Sequence, residues 1–112
     1  MTANRRRGEI SAELDGRDWR LCLTLGALAE LEACYGAEDL GALVARFAGG
    51  KLAAGDLVRL IGAGLRGAGN AVSDEEVRAM RCAEGAVGFA AIAADLLAAT
   101  FGAGGREAPP NP

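Results

Sequence analysis

The stretch LCLTLGALAELEACYG, Leu21 to Gly36, changes within two residues from strand alternation to helical spacing, and that switch decides the architecture of the first third of the chain. Upstream of it, Ile10, Ala12 and Leu14 alternate with Glu9, Ser11 and Glu13. Asp15-Gly16 then supplies a residue pair that tolerates positive φ, as a two-residue hairpin turn requires. Closing the turn there sets Ile10 opposite Leu21 and Ala12 opposite Trp19 on one face, with Glu9, Ser11, Glu13, Asp18, Arg20 and Cys22 on the other. One face is apolar and the other mostly charged. A lone hairpin is marginal in water, so it must lie on the helices that follow. Trp19, the only tryptophan, faces those helices and reads as core.

Thr24 stands at an N-cap position directly after the strand. Leu25, Leu28, Leu31 and Tyr35 then keep the three-and-four spacing of an amphipathic helix, which Gly36 stops. A second helix is expected from about Glu38 to Phe47, carrying Leu40, Leu43, Val44 and Phe47 and ended by Gly49-Gly50. A third is expected from about Ala54 to Arg66, with Leu57, Leu60, Ile61, Gly64 and Leu65 on its stripe and with Asp56 and Arg66 placed to complement its dipole. Ser73 and Glu76 have the spacing of a capping box, so a fourth helix must begin there; it is expected to run to a break at Glu84-Gly85. From Ala86 to Phe101 the chain is apolar around most of a helix's girth and charged only at Asp95, so this helix is either central or covered by a partner. The expected fold class is α+β, an N-terminal β-hairpin packed on a mostly α-helical bundle of four to five helices. Residues 8–101 form that single domain, between a disordered basic stretch, 1–7, and a disordered tail, 102–112.

At 112 residues the chain can bury about 65% of its unfolded surface. Hydrophobic residues make up 51% of it but aromatics only 4%, so the core is built of Leu, Val, Ile and Ala, with less burial per residue than aromatic side chains provide. Modest stability follows, which self-association would improve. The net charge of −3 and the scattered basic residues argue against a nucleic-acid binder. Arg5, Arg6 and Arg7 lack the apolar run of a signal peptide, and no segment reaches the about 18 apolar residues of a membrane span. A cytoplasmic protein is expected. Cys22, Cys34 and Cys82 have neither disulfide nor zinc spacing and read as small buried or half-buried hydrophobes.

The chain has no histidine, which removes the commonest general base and the usual nucleophile partners. Gly62, Gly64, Gly67 and Gly69 lie within and just after a helix, where they serve close packing and a helix stop; a phosphate loop needs glycines between a strand and a helix start. Glu30 and Glu32 point to different sides of their helix and read as solvated. Asp74, Glu75 and Glu76 are accounted for by the helix start, and Cys22 has no base beside it. No cofactor, metal or catalytic centre is expected.

Three segments carry a resemblance: RRRGEISAELDGRDWRLCLTLGALAELEACYG, DLGALVARFAGGKLAAGDLVRLIGAGLRGAG and VSDEEV. Together they resemble the gene transfer agent tail protein family, small morphogenesis proteins of the tailed-phage type. The most specific pieces are Leu23 to Glu32 and Leu60 to Gly69, which combine unusual glycine placement with the apolar stripe. The resemblance implies either a tail assembly chaperone, which coats the helical, apolar tape-measure protein, or a tail tube component. The chaperone is preferred, because tubes of that kind are built from β-rich subunits and this chain offers one hairpin. Leu28, Leu31, Leu60, Ile61, Leu65, Phe89 and Ile92 are the candidate partner-binding residues. If Ser73 caps a helix, Ser73→Ala should lower stability by about 1 kcal/mol in denaturant melts; an unchanged midpoint would remove the cap.

Overall fold

A computed structural model of the chain describes residues 4–49 and 51–102. Strands β1 (Glu9–Leu14) and β2 (Arg17–Cys22) pair antiparallel, with Ile10 opposite Leu21 and Ala12 opposite Trp19 as the alternation predicts. Asp15 and Gly16 form the turn at φ 56° and 74°, the pair of positive values that matches the strands' own twist. Trp19 is half-buried; its Nε1–H donates to the Leu14 carbonyl at 3.0 Å, and the Arg17 guanidinium lies 4.2 Å from its ring centre. The expected tail from 103 onward and the first three residues lie outside the described residues. Within the stretch expected to be disordered, Arg5–Arg7 form one 3-10 turn, closed by Arg7 N–H donating to the Asn4 carbonyl.

Five helices follow: α1 (Leu25–Tyr35), α2 (Leu40–Ala48), α3 (Ala54–Gly67), α4 (Asp74–Arg78) and α5 (Gly85–Phe101). Thr24 caps α1 by accepting from Ala27 N–H, and Gly36 ends it in the left-handed conformation. Asp39 caps α2 through Ala42 N–H at 2.8 Å, which starts that helix two residues later than the periodicity alone indicates. Ser73 and Glu76 make both bonds of the capping box.

The fourth helix is shorter than expected. It ends at Arg78 instead of reaching Glu84, because the chain there is recruited to the hairpin turn. Arg81 N–H donates to Asp15 Oδ1 and the Arg81 carbonyl accepts from Asp15 N–H, both at 2.8 Å. The Arg81 N–H given to Asp15 cannot also donate to the carbonyl four residues back, as a continuing helix requires. A break at Gly85 is present as expected; its φ of 64° starts α5.

The core gathers Ile10, Leu14 and Leu21 of the hairpin with Leu31, Leu43, Leu60, Ile61, Leu65 and Leu96. Helix α3 lies at its centre, against β2, α1, α4 and α5. Its glycines make that possible. A methyl group on Gly67 would lie 2.0 Å from the Cys22 carbonyl oxygen, and one on Gly64 would lie 2.7 Å from Leu96 Cδ2 and 3.2 Å from Leu21 Cβ. The close-packing role of this glycine run therefore holds.

A side chain at 67 must move backbone, so the about 1 kcal/mol of helix propensity gained from alanine is outweighed by overpacking of about 1–3 kcal/mol. Gly67→Ala is expected to lower the melting temperature by about 5 °C or more. Gly26→Ala is the control, since its methyl would meet only Thr24 Oγ1 at 3.9 Å. Equal melting of both variants would contradict the packing account.

Candidate partner-binding grooves

Five of the seven candidate partner-binding residues belong to the core. Leu28 and Leu31 of α1, and Leu60, Ile61 and Leu65 of α3, are buried and present little surface to a partner. The stripe that marks an amphipathic helix marks its inner face, so residues read from it are spent on the fold. Phe89 and Ile92 of α5 are half-buried and do reach the surface, in two different clefts. Phe89 lines a small cleft of about 150 Å³ with Leu57, Ile61, Val77 and Met80. Ile92 lines a groove of about 430 Å³ beside β1.

A larger groove, about 610 Å³, runs between α2 and α5 and contains neither Phe89 nor Ile92. Val44, Phe47 and Leu52 form one wall, and Ala90, Ala94, Ala98, Leu97 and Phe101 the other. Among the described residues no charged side chain lines it. Ala90, Ala94 and Ala98 recur every fourth residue and so form one row along α5. The sequence signal for this wall was the girth of α5, apolar except at Asp95; which of its sides stays open depends on how α5 sits on the core.

The α2 wall is held by a polar network that the sequence pattern did not reveal. Asp56 is buried, 5% exposed, at the third position of α3. Its Oδ1 accepts from Tyr35 Oη at 2.5 Å and its Oδ2 from Ala53 N–H at 2.8 Å, with Arg46 Nη2 of α2 at 3.4 Å. Tyr35 in turn meets Phe47 edge to face, ring centres 5.4 Å apart. Carboxylate, phenol and benzyl ring thus form a chain from the start of α3 through α1 to the groove wall. Burial by itself raises the Asp56 carboxyl, but the Tyr35 hydroxyl, the Ala53 N–H and the cations Arg46 and Arg59 together bring it below its ordinary value.

Two further expectations are corrected. Glu30 is not simply solvated: it pairs with Arg66, which also lies 3.0 Å from Asp74 Oδ1 and donates to the Val72 carbonyl at 2.8 Å. Cys34 is exposed, not buried, whereas Cys22 and Cys82 are half-buried. Burial foremost, then Glu9, pushes the Cys22 thiol above its usual range against the opposing Arg7, so it stays protonated. Among the described residues no group of Cys, Asp and Glu is arranged to hold a metal ion, and no helix is long and apolar enough to cross a membrane.

Fold and surface together define a small α+β protein whose principal surface features are apolar grooves between helices. A family model described as phage tail tube protein, GTA-gp10, matches residues 7–103, and the chain belongs to that family. It is therefore a tail-related structural protein of the gene transfer agent type. No curated protein and no solved structure matches the chain.

The lowered carboxyl of Asp56 has a definite sign. A group whose folded value lies below its unfolded value adds stability above the unfolded value, about 3.9 for Asp, and that stability is lost as pH falls through the folded value. Asp56→Asn is expected to cost about 2 kcal/mol at neutral pH. The difference from the parent protein should shrink below about pH 4 in urea melts; a difference that is constant with pH would exclude the ionised network.

Proposed function

We propose that this protein serves tail assembly by holding an apolar helical segment of another tail protein, the tape-measure protein first, in the groove between α2 and α5. It acts in the cytoplasm of the producing cell, by binding and without a catalytic centre. The observation that carries the reading is the uncharged groove itself. The alanine row of α5 lets a second helix backbone approach closely, while Phe47, Leu97 and Phe101 offer depth to its larger side chains. Such a site recognises an apolar stripe more than a particular sequence, which suits a long, helical and apolar partner. Its shallow small-residue wall also suits release, because few contacts there are of the large aromatic kind that dominates tight interfaces.

A second reading, a tube component retained in the particle, is favoured by the description of the family as a tail tube protein. The two differ in an observable. An assembly factor should be absent from purified particles on immunoblots, whereas a tube component should be present in stoichiometric amount.

Ala94 is exposed at the middle of the groove wall. Ala94→Glu places a carboxylate where a bound helix would strip its water without replacing it. Capture of the tape-measure protein and particle production should both be lost. The unfolding free energy should stay within the range of ordinary surface changes, about 0.5 kcal/mol. Undiminished particle production by a folded Ala94→Glu protein would sink the groove reading.

A further inference from the structure

The outer edge of β1 alternates between satisfied and open backbone groups. In a two-residue hairpin the residues flanking the turn, Leu14 and Arg17, bond to each other, so Ala12 with Trp19 and Ile10 with Leu21 are the other bonded pairs. The backbone groups of Glu9, Ser11, Glu13 and Asp15 therefore point away from β2. The ends of this row are taken: Glu9 N–H donates to the Asn4 carbonyl at 3.0 Å, and Asp15 N–H to the Arg81 carbonyl at 2.8 Å. On the other strand the corresponding edge is covered, with Asn70 Nδ2 on the Arg20 carbonyl and Gly67 against Cys22. Ser11 and Glu13 are exposed, and among the described residues their outward N–H and carbonyl groups have no partner.

This open section faces the groove that Ile92 lines. Ala12, Gly88, Ala91 and Ile92 give that groove a small apolar lining, and the exposed carboxylates Glu13, Glu84 and Asp95 line it as well. We infer that the Ser11–Glu13 edge is a docking site for a short extended segment of a partner protein, which adds as a third strand and carries Lys or Arg on its outward side and small apolar residues on its inward side. Main-chain bonds to Ser11 and Glu13 supply the affinity, and the alternation of side chains supplies the choice of partner. The Asn4 turn and the Arg81 loop stop the strand at either end, which sets its length and register. Charge decides against a second copy as the occupant. An antiparallel β1 from another molecule would bring its own Glu9 and Glu13 into a rim that is already acidic, and like charges facing each other across strands are destabilising. The inference does not depend on the α2/α5 groove, which lies on another part of α5.

The test uses the full-length protein and three capped hexapeptides: alternating Lys-Val, alternating Glu-Val, and the Lys-Val peptide N-methylated on the bonding amides. Amide hydrogen exchange is read residue by residue by NMR. The Lys-Val peptide should slow exchange at Ser11 and Glu13 by about tenfold at millimolar concentration, and the other two should not. Glu13→Lys combined with Glu84→Lys should weaken the Lys-Val effect by about tenfold while the fold, read from the remaining amides, is kept. No protection by any peptide, or equal protection by the Glu-Val peptide, would overturn the inference. So would protection that grows with protein concentration in the absence of peptide, which would assign the edge to a second copy.

Discussion

The constraint on which the rest of the structure depends is the absence of side chains along one side of α3. Gly64 and Gly67 let this helix lie against β2 so closely that a methyl group at 67 would overlap the Cys22 carbonyl oxygen, and Gly62 leaves room for Asp74 at the start of α4. A two-stranded sheet has no stability of its own to contribute. It is ordered here because α3 packs against β2, with Gly64 on Leu21 and Gly67 on Cys22, while α5 packs against β1, and Leu14 and Leu21 are completely buried. Glycine in a helix costs about 1 kcal/mol each relative to alanine. That cost is offset by contacts that only a bare backbone permits, and these contacts align α1, α4 and α5 around the same helix.

Two polar centres complete the alignment. Arg66, at the end of α3, joins Glu30 of α1 to Asp74 of α4 and to the Val72 carbonyl in the connecting segment. The pairs are partly exposed, so each contributes at most about 1 kcal/mol, and their effect is more to set the geometry of the loop than to supply stability. Asp56, at the other end of α3, is buried and is therefore of greater consequence. Removing any one of its partners leaves a desolvated carboxylate short of a bond. It ties α2, a short helix capped by Asp39, to α1 and α3, and in doing so it fixes one wall of the α2/α5 groove.

The surface that results is divided along α5. Toward the core this helix presents Gly88, Ala93 and Leu96; toward α2 it presents alanines, Leu97 and Phe101; toward β1 it presents Ala91 and Ile92. A helix so uniformly apolar is costly to leave in water. Its two open sides have different neighbours and therefore different chemistry. Among the described residues, one is lined by no charged side chain, while the other carries carboxylates and borders strand backbone without a partner.

How much could be read without coordinates follows the range of the forces involved. The hairpin register, the Asp15-Gly16 turn, the Thr24 and Ser73 caps and the α+β class are set by neighbours within a few residues, and the sequence by itself determined them. The glycine run of α3 was legible as a packing device because glycine inside a helix lowers its stability unless a close backbone approach compensates. The end of α4 was not legible, since it depends on Asp15, distant in sequence, taking the backbone of Arg81. The partner-binding candidates drawn from apolar stripes proved to be mostly core, because periodicity reports that a face is apolar and cannot report what covers it. Only the tertiary arrangement decided that Leu28, Leu31, Leu60, Ile61 and Leu65 are enclosed, that the alanine row of α5 is left beside α2, and that the middle of β1 is left without a strand. Burial is a property of the whole packing, summed over contacts between residues far apart in the chain, and local pattern carries no information on which of several apolar faces the packing leaves open.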